Sequence, residues 1–79
     1  MNWRARAEHS RALPLATVLV ALEARRDPHD PAKWHTVRGV LSVNGPKFIN
    51  WNLDWGGGGA IDLVMHVRQV GFGQALQWL

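Results

Sequence analysis

Between positions 33 and 55 the chain interleaves cations with indoles: Lys33, Trp34, His35, Arg38, Lys47, Trp51 and Trp55. A surface of this composition suits single-stranded nucleic acid, because cations displace counterions from phosphates and aromatic faces stack on bases of any identity. Taken one at a time, each tryptophan also fits a core and each cation a solvated rim; the cluster is what points to binding. Gly57 and Gly58, inside the run Gly56–Gly59, join the candidate set. Bare backbone N–H groups at the start of a helix can hold one phosphate of a nucleic-acid backbone. The other reading of these glycines is a tight reversal of the chain onto the helix, with Asp62 complementing the helix dipole. A nucleotide phosphate loop is excluded, since Ala60-Ile61 stands where that motif needs a lysine and a hydroxyl.

Catalytic chemistry finds little support. Cysteine is absent, Ser10 and Ser42 have no His and acid in a recognisable order, and the carboxylates are scattered. His66 lies in an apolar helical stretch, where a histidine is more often a satisfied core or rim residue than a base. The expectation is a binding module and not an enzyme.

The elements that must position these residues follow from periodicity. A helix is expected from Pro14 to about Arg25, with Leu15, Val18, Leu19 and Leu22 as its stripe and Arg25 and Arg26 at its C-terminal end. The prolines of Asp27-Pro28-His29-Asp30-Pro31 close it. Three β-type runs follow, Trp34 to Val37, Val40 to Asn44 and Lys47 to Trp51. Asn44-Gly45 between the last two signals a hairpin, although Pro46 argues against the tightest two-residue turn. Alternation sets Phe48 and Asn50 on one face and Lys47, Ile49 and Trp51 on the other. A second helix, Ala60 to Val70, is apolar over a wide arc and stops at Gly71; a last helix carries Ala75, Leu76, Trp78 and Leu79.

Gly57-Gly58-Gly59-Ala60-Ile61-Asp62-Leu63, preceded by a strand and followed by a Phe-containing turn and an Ala-Leu helix, resembles the zinc-ribbon N-terminal domain of bacterial DNA primases. The likeness covers Leu13 to Leu79, is strongest from Gly45 onward, and before Trp34 rests on element order. The family's ligands are Cys, His, Cys and Cys. Here its last two cysteines fall on Trp51 and Asp54, and His35 stands at or beside the histidine position. The resemblance therefore implies an α+β domain in which the metal ligands have been lost: a small antiparallel three-stranded sheet, zinc-ribbon-like and metal-free, with one N-terminal and two C-terminal helices. It divides the chain into an N-terminal arm, 1–12, and the domain, 13–79. It further implies template recognition, holding single-stranded DNA for a catalytic primase-type domain or a helicase partner in a replication or mobile-element protein. The alternative is a protein-interaction or oligomerisation module that buries Trp78, Trp3 and a sheet face.

Composition fits either reading. Seventy-nine residues with nine Lys and Arg against six Asp and Glu give a net charge of +3, suited to a polyanion without demanding one. So short a chain with neither disulfides nor thiolate zinc makes a marginal core, and a homo-oligomer is expected. The longest apolar run, Leu13 to Leu22, is too short to span a membrane and ends without a cleavage pattern, which suggests a cytoplasmic protein. His29, His35 and Asp54 fall short of the sulfur-rich tetrahedral set that structural zinc prefers. The domain should therefore keep its circular-dichroism spectrum and melting temperature in strong chelator; loss of structure on chelation would overturn that expectation.

Overall fold

The structure, a computed structural model, describes residues 3–79; the Trp3 side chain, assigned above to an interface, lies outside the described residues. Four helices and five strands follow in the order α1 (Trp3–Arg11), α2 (Leu15–Ala21), β1 (Arg25–Arg26), β2 (Lys33–Thr36), β3 (Gly39–Asn44), β4 (Lys47–Asn50), β5 (Trp55–Gly58), α3 (Gly59–Arg68) and α4 (Phe72–Trp78). The strands form one antiparallel sheet, β1-β2-β3-β4-β5, each paired with its neighbour in sequence. This corrects the expected three-stranded sheet with one N-terminal and two C-terminal helices.

Each added element has a physical reason. At the N-terminus a helix occupies most of the expected arm: Ala7 and Ser10, three apart on one face, are buried, and Arg6 donates to the Leu76 carbonyl at 3.1 Å, tying α1 to the end of α4. The second helix ends earlier than its stripe suggests. Glu23 takes a left-handed φ of 64°, its N–H bonds the Val20 carbonyl at 3.0 Å, and the Ala24 N–H bonds the Leu19 carbonyl at 3.0 Å. This is a Schellman stop built on a non-glycine residue. It frees Arg25 and Arg26 to pair with His35 and Trp34 as β1 instead of ending a helix.

At the far edge, the run expected to be a glycine loop is strand β5. Glycine is poor strand material on its own, but a Cβ at Gly57 would lie 3.1 Å from Phe48 Cζ and 3.3 Å from Trp55 Cη2. Only a strand without side chains lets those two rings close over it, with centroids 5.7 Å apart. Gly59 then turns the chain into α3 with a φ of 84°. The β3–β4 connection is the tight two-residue turn that Pro46 argued against. Asn44 pairs with Lys47, Gly45 supplies the positive φ of 58° that a primed turn needs at its first central position, and proline's fixed φ suits the second.

Alternation and register sort the sheet into two faces. Trp34, Leu41, Phe48 and Asn50 point to the helices, where with Leu19, Leu63 and Val64 they make the core. α3 is the central helix of that layer, packed against α1, α2, α4 and β5. The opposite face carries no helix among the described residues. No described helix is long and apolar enough to cross a membrane.

Because Glu23 is exposed and left-handed, Glu23→Gly should stabilise the domain by about 0.5–1 kcal/mol. A rise in the urea midpoint at constant m-value would show it; no change, or a fall, would mean that the strain is absent.

Candidate nucleic-acid interface

The uncovered face is set out by strand pairing. Lys33 stands opposite Ser42, His35 opposite Arg25 on one side and Val40 on the other, Asn44 opposite Lys47, and Ser42 opposite Ile49. Neither Lys33 nor Lys47 has a carboxylate within ion-pair reach among the described residues. Trp51 leaves the sheet one residue after β4 and folds back over this face, its indole Nε1–H donating to Ser42 Oγ at 2.7 Å while 60% of the residue stays exposed. Ile49, 41% exposed, lies between Trp51 and Lys47. Cations, an indole and an aliphatic floor thus share one surface, a combination that suits phosphates and base faces together.

His35 is differently placed. Its Nε2 lies 2.8 Å from Asp27 Oδ2, while Asp27 Oδ1 accepts the His29 and Asp30 N–H groups. The His35 hydrogen bond, then the one from His29, holds the Asp27 carboxyl down at about 2. An ionised Asp27 therefore occupies the imidazole, and His35 fastens the loop before β2 to the sheet rather than offering a free cation.

Other candidates sit elsewhere. Trp34 is 4% exposed, a core residue with the Arg26 guanidinium 4.8 Å above its ring. Arg38 donates through Nε to the Val67 carbonyl at 3.2 Å, which ties the β2–β3 turn to α3. Trp55 stacks on His66 at 4.4 Å with the rings 9° from parallel, on the helical side of the sheet. Gly57 also faces the helices, whereas Gly58 lies beside Lys47 on the open face, its N–H aimed at Asp62 Oδ2 at 3.3 Å. That bond favours the structural reading of the glycines, since the carboxylate occupies a position a phosphate would take. The sheet thus gathers Lys33, His35, Lys47, Trp51 and Gly58, and leaves Trp34, Arg38, Trp55 and Gly57 out. Sequence reasoning passed over Arg25 and Ser42. Ser42 was within reach, because strand alternation alone places it on the face of Ile49. Arg25 was not, because it was assigned to a helix end.

One buried polar cluster holds the ends of the strands. Asn50, fully buried, donates through Nδ2 to the Arg38 carbonyl at 2.9 Å and to His66 Nε2 at 2.9 Å, and accepts through Oδ1 from Asn52 N–H at 3.0 Å and Leu53 N–H at 3.2 Å. The two backbone donors fix which amide atom is oxygen, so the nitrogen must face His66, and His66 Nε2 must accept. The imidazole is neutral with its proton on Nδ1. Burial, and after it the nearby Arg38 charge, lowers the His66 pKa below its ordinary 6.5. Between Trp55, Leu53 and α3 the same region opens into a groove of about 480 Å³ that includes His66 and Asp62. No three His, Asp or Glu side chains gather to hold a metal among the described residues.

No protein-family model matches the chain, and no solved structure is significantly similar to it. Among curated proteins, a "65 kDa protein" of Zymomonas mobilis subsp. mobilis is 39% identical over 80 residues, an alignment that takes in 96% of this chain and 13% of the relative. The chain thus spans about an eighth of the length of that protein, whose name records only a mass.

A histidine held neutral in the fold makes stability depend on pH in a definite direction. The unfolded imidazole protonates near 6.5 and the folded one only lower, so the contribution is complete above about pH 6.5 and is lost as pH falls toward the folded value. The melting temperature should be level at mildly alkaline pH and fall as the pH drops below about 6.5; in His66→Gln, whose amide oxygen can still accept from Asn50, that fall should be reduced. An unchanged slope in the variant would remove His66 as its source.

Proposed function

We propose that this domain binds single-stranded DNA on the open face of its sheet and serves as the template-recognition module of a larger replication or mobile-element protein. The observation that carries the reading is the arrangement of Lys33 and Lys47, free of carboxylate partners among the described residues, around an indole that is held in place yet open to solvent. Holding Trp51 by its own N–H lowers the entropy lost when a base stacks on it. The alignment to an eighth of a longer protein supports a module working within a larger chain. In this reading the domain does no chemistry itself; it presents the strand to a primase-type catalytic domain or a helicase in the cytoplasm, and self-association adds a second strand-binding face. The resemblance of Gly57 to Leu63 to the primase family is what singles out a DNA template.

A protein-interaction role is the second reading. Leu53 and Trp55, 56% and 45% exposed beside the groove on α3, favour it. Salt separates the two, because counterion release weakens DNA binding steeply while an apolar interface is nearly indifferent.

Titration with a short single-stranded oligonucleotide at low salt should quench tryptophan fluorescence. Lys33→Ala and Lys47→Ala should each lower the salt slope by about one. Trp51→Ala should weaken binding by about 1–3 kcal/mol at every salt concentration and remove most of the quenching. Absence of quenching and of any salt-dependent binding by the wild type would overturn the proposal.

A further inference from the structure

Next to Trp51 the open face dips into a cleft of about 430 Å³ at the β3–β4 hairpin, lined among others by Ala32, Ser42, Asn44, Lys47 and Ile49. Its chemistry is uneven in an informative way. Ile49 and Ala32 give it aliphatic surface on which a flat ring can lie. Lys47, exposed and directly across the hairpin from Asn44, supplies a positive charge at the rim. Asn44 supplies an amide that has no hydrogen-bond partner within the chain among the described residues, although Asn50 on the inner face and Asn52 in the turn after β4 are both bonded. Ser42 accepts the Trp51 indole proton, which leaves its own hydroxyl proton to donate into the cleft. The Trp51 indole is held at Ser42, which stands opposite Ile49, and Lys47 lies two residues before Ile49 on the same face, so the cleft adjoins the stacking platform at one side and the phosphate-binding lysine at the other.

We propose, resting on the single-strand reading above, that this cleft receives the nucleobase next to the one stacked on Trp51, and that Asn44 reads its edge. A ligand with a flat apolar face, a polar rim and an adjoining phosphate fits Ile49, Asn44 and Lys47 in turn. The carboxamide pairs its oxygen with an N6–H and its nitrogen with N7 of adenine, the bidentate match asparagine makes best. The face therefore prefers adenine at one position and tolerates any base on the indole. Lys47 adds affinity without regard to sequence, whereas Asn44 gives discrimination with little effect on salt dependence.

The test uses a short thymidine oligomer with one central position set to thymine, adenine, cytosine or guanine, titrated against the 79-residue protein by tryptophan quenching. The adenine-containing strand should bind about fivefold or more tightly than the all-thymidine strand. Asn44→Ala should abolish that ratio while leaving the salt slope, and Asn44→Asp should abolish it while weakening all four strands by charge repulsion. The position is exposed, at a hairpin, and thermal melts check that both variants fold. Equal binding of all four strands, or an adenine preference that survives Asn44→Ala, overturns the reading role of Asn44 and leaves the single-strand proposal standing. A preference for another base that Asn44→Ala erases overturns the assignment of adenine. Failure of every strand to bind would instead bring down the underlying proposal.

Discussion

The side chain of Asn50 is the constraint on which the rest of the molecule depends. A carboxamide can make four hydrogen bonds, and this one makes all four without water while fully buried: to the β2–β3 turn, twice to the chain after β4, and to α3. Asn52, which Asn50 helps to place, passes the connection on by accepting the Val40 N–H at 2.8 Å. Two loops at one end of the sheet and the central helix behind it are thereby held in a single arrangement. Removing any one partner would leave a buried polar group unmatched, at a cost of about 1–3 kcal/mol each. A domain of this size has little apolar burial to spare, so much of its specificity is polar.

The placement of the functional face follows from the same anchor. Asn50 and Phe48 point inward, so Ile49 and Lys47 must point outward, and the next residue, Trp51, leaves the strand already turned toward the open face. The Ser42 hydroxyl then catches the indole. The histidine–tryptophan stack on the other side of the sheet does the corresponding work for the helices, filling the space above α3 with two flat rings in contact. One strand, β4, therefore supplies the core through its even positions and the candidate binding surface through its odd ones.

How much of this the sequence disclosed depended on whether a residue's role was local. The division of β4 into faces was readable, because alternation is a property of neighbouring residues; so was the helix that follows the glycines, whose apolar positions repeat at helical spacing. The strand made of Trp55 and three glycines was not readable, since its pairing exists only because Phe48 and Trp55 require a surface without side chains. Nor was β1, two arginines that became a strand when Glu23 adopted a left-handed conformation that its residue type disfavours. The first helix, strongly charged, hides its inward face in Ala7 and Ser10, residues too small and too polar to make a stripe. Within the candidate set, alternation alone puts Lys47 on the open face of β4, whereas it does not tell that Trp34 enters the core or that the half-exposed Trp55 lies on the helical side, because an indole's type does not say which side of a sheet it takes.

The guanidinium of Arg6 reaching the last turn of α4 draws the first and last helices together, whereas the strands are joined only to neighbours in sequence. Hairpins of this kind close over short loops and can form early; the clasp between first and last helix closes the longest loop in the chain and belongs late in folding. Mechanical tension applied between α1 and α4 would consequently load the helix–helix seam first. The sheet and the face it displays would keep their shape while that seam yielded.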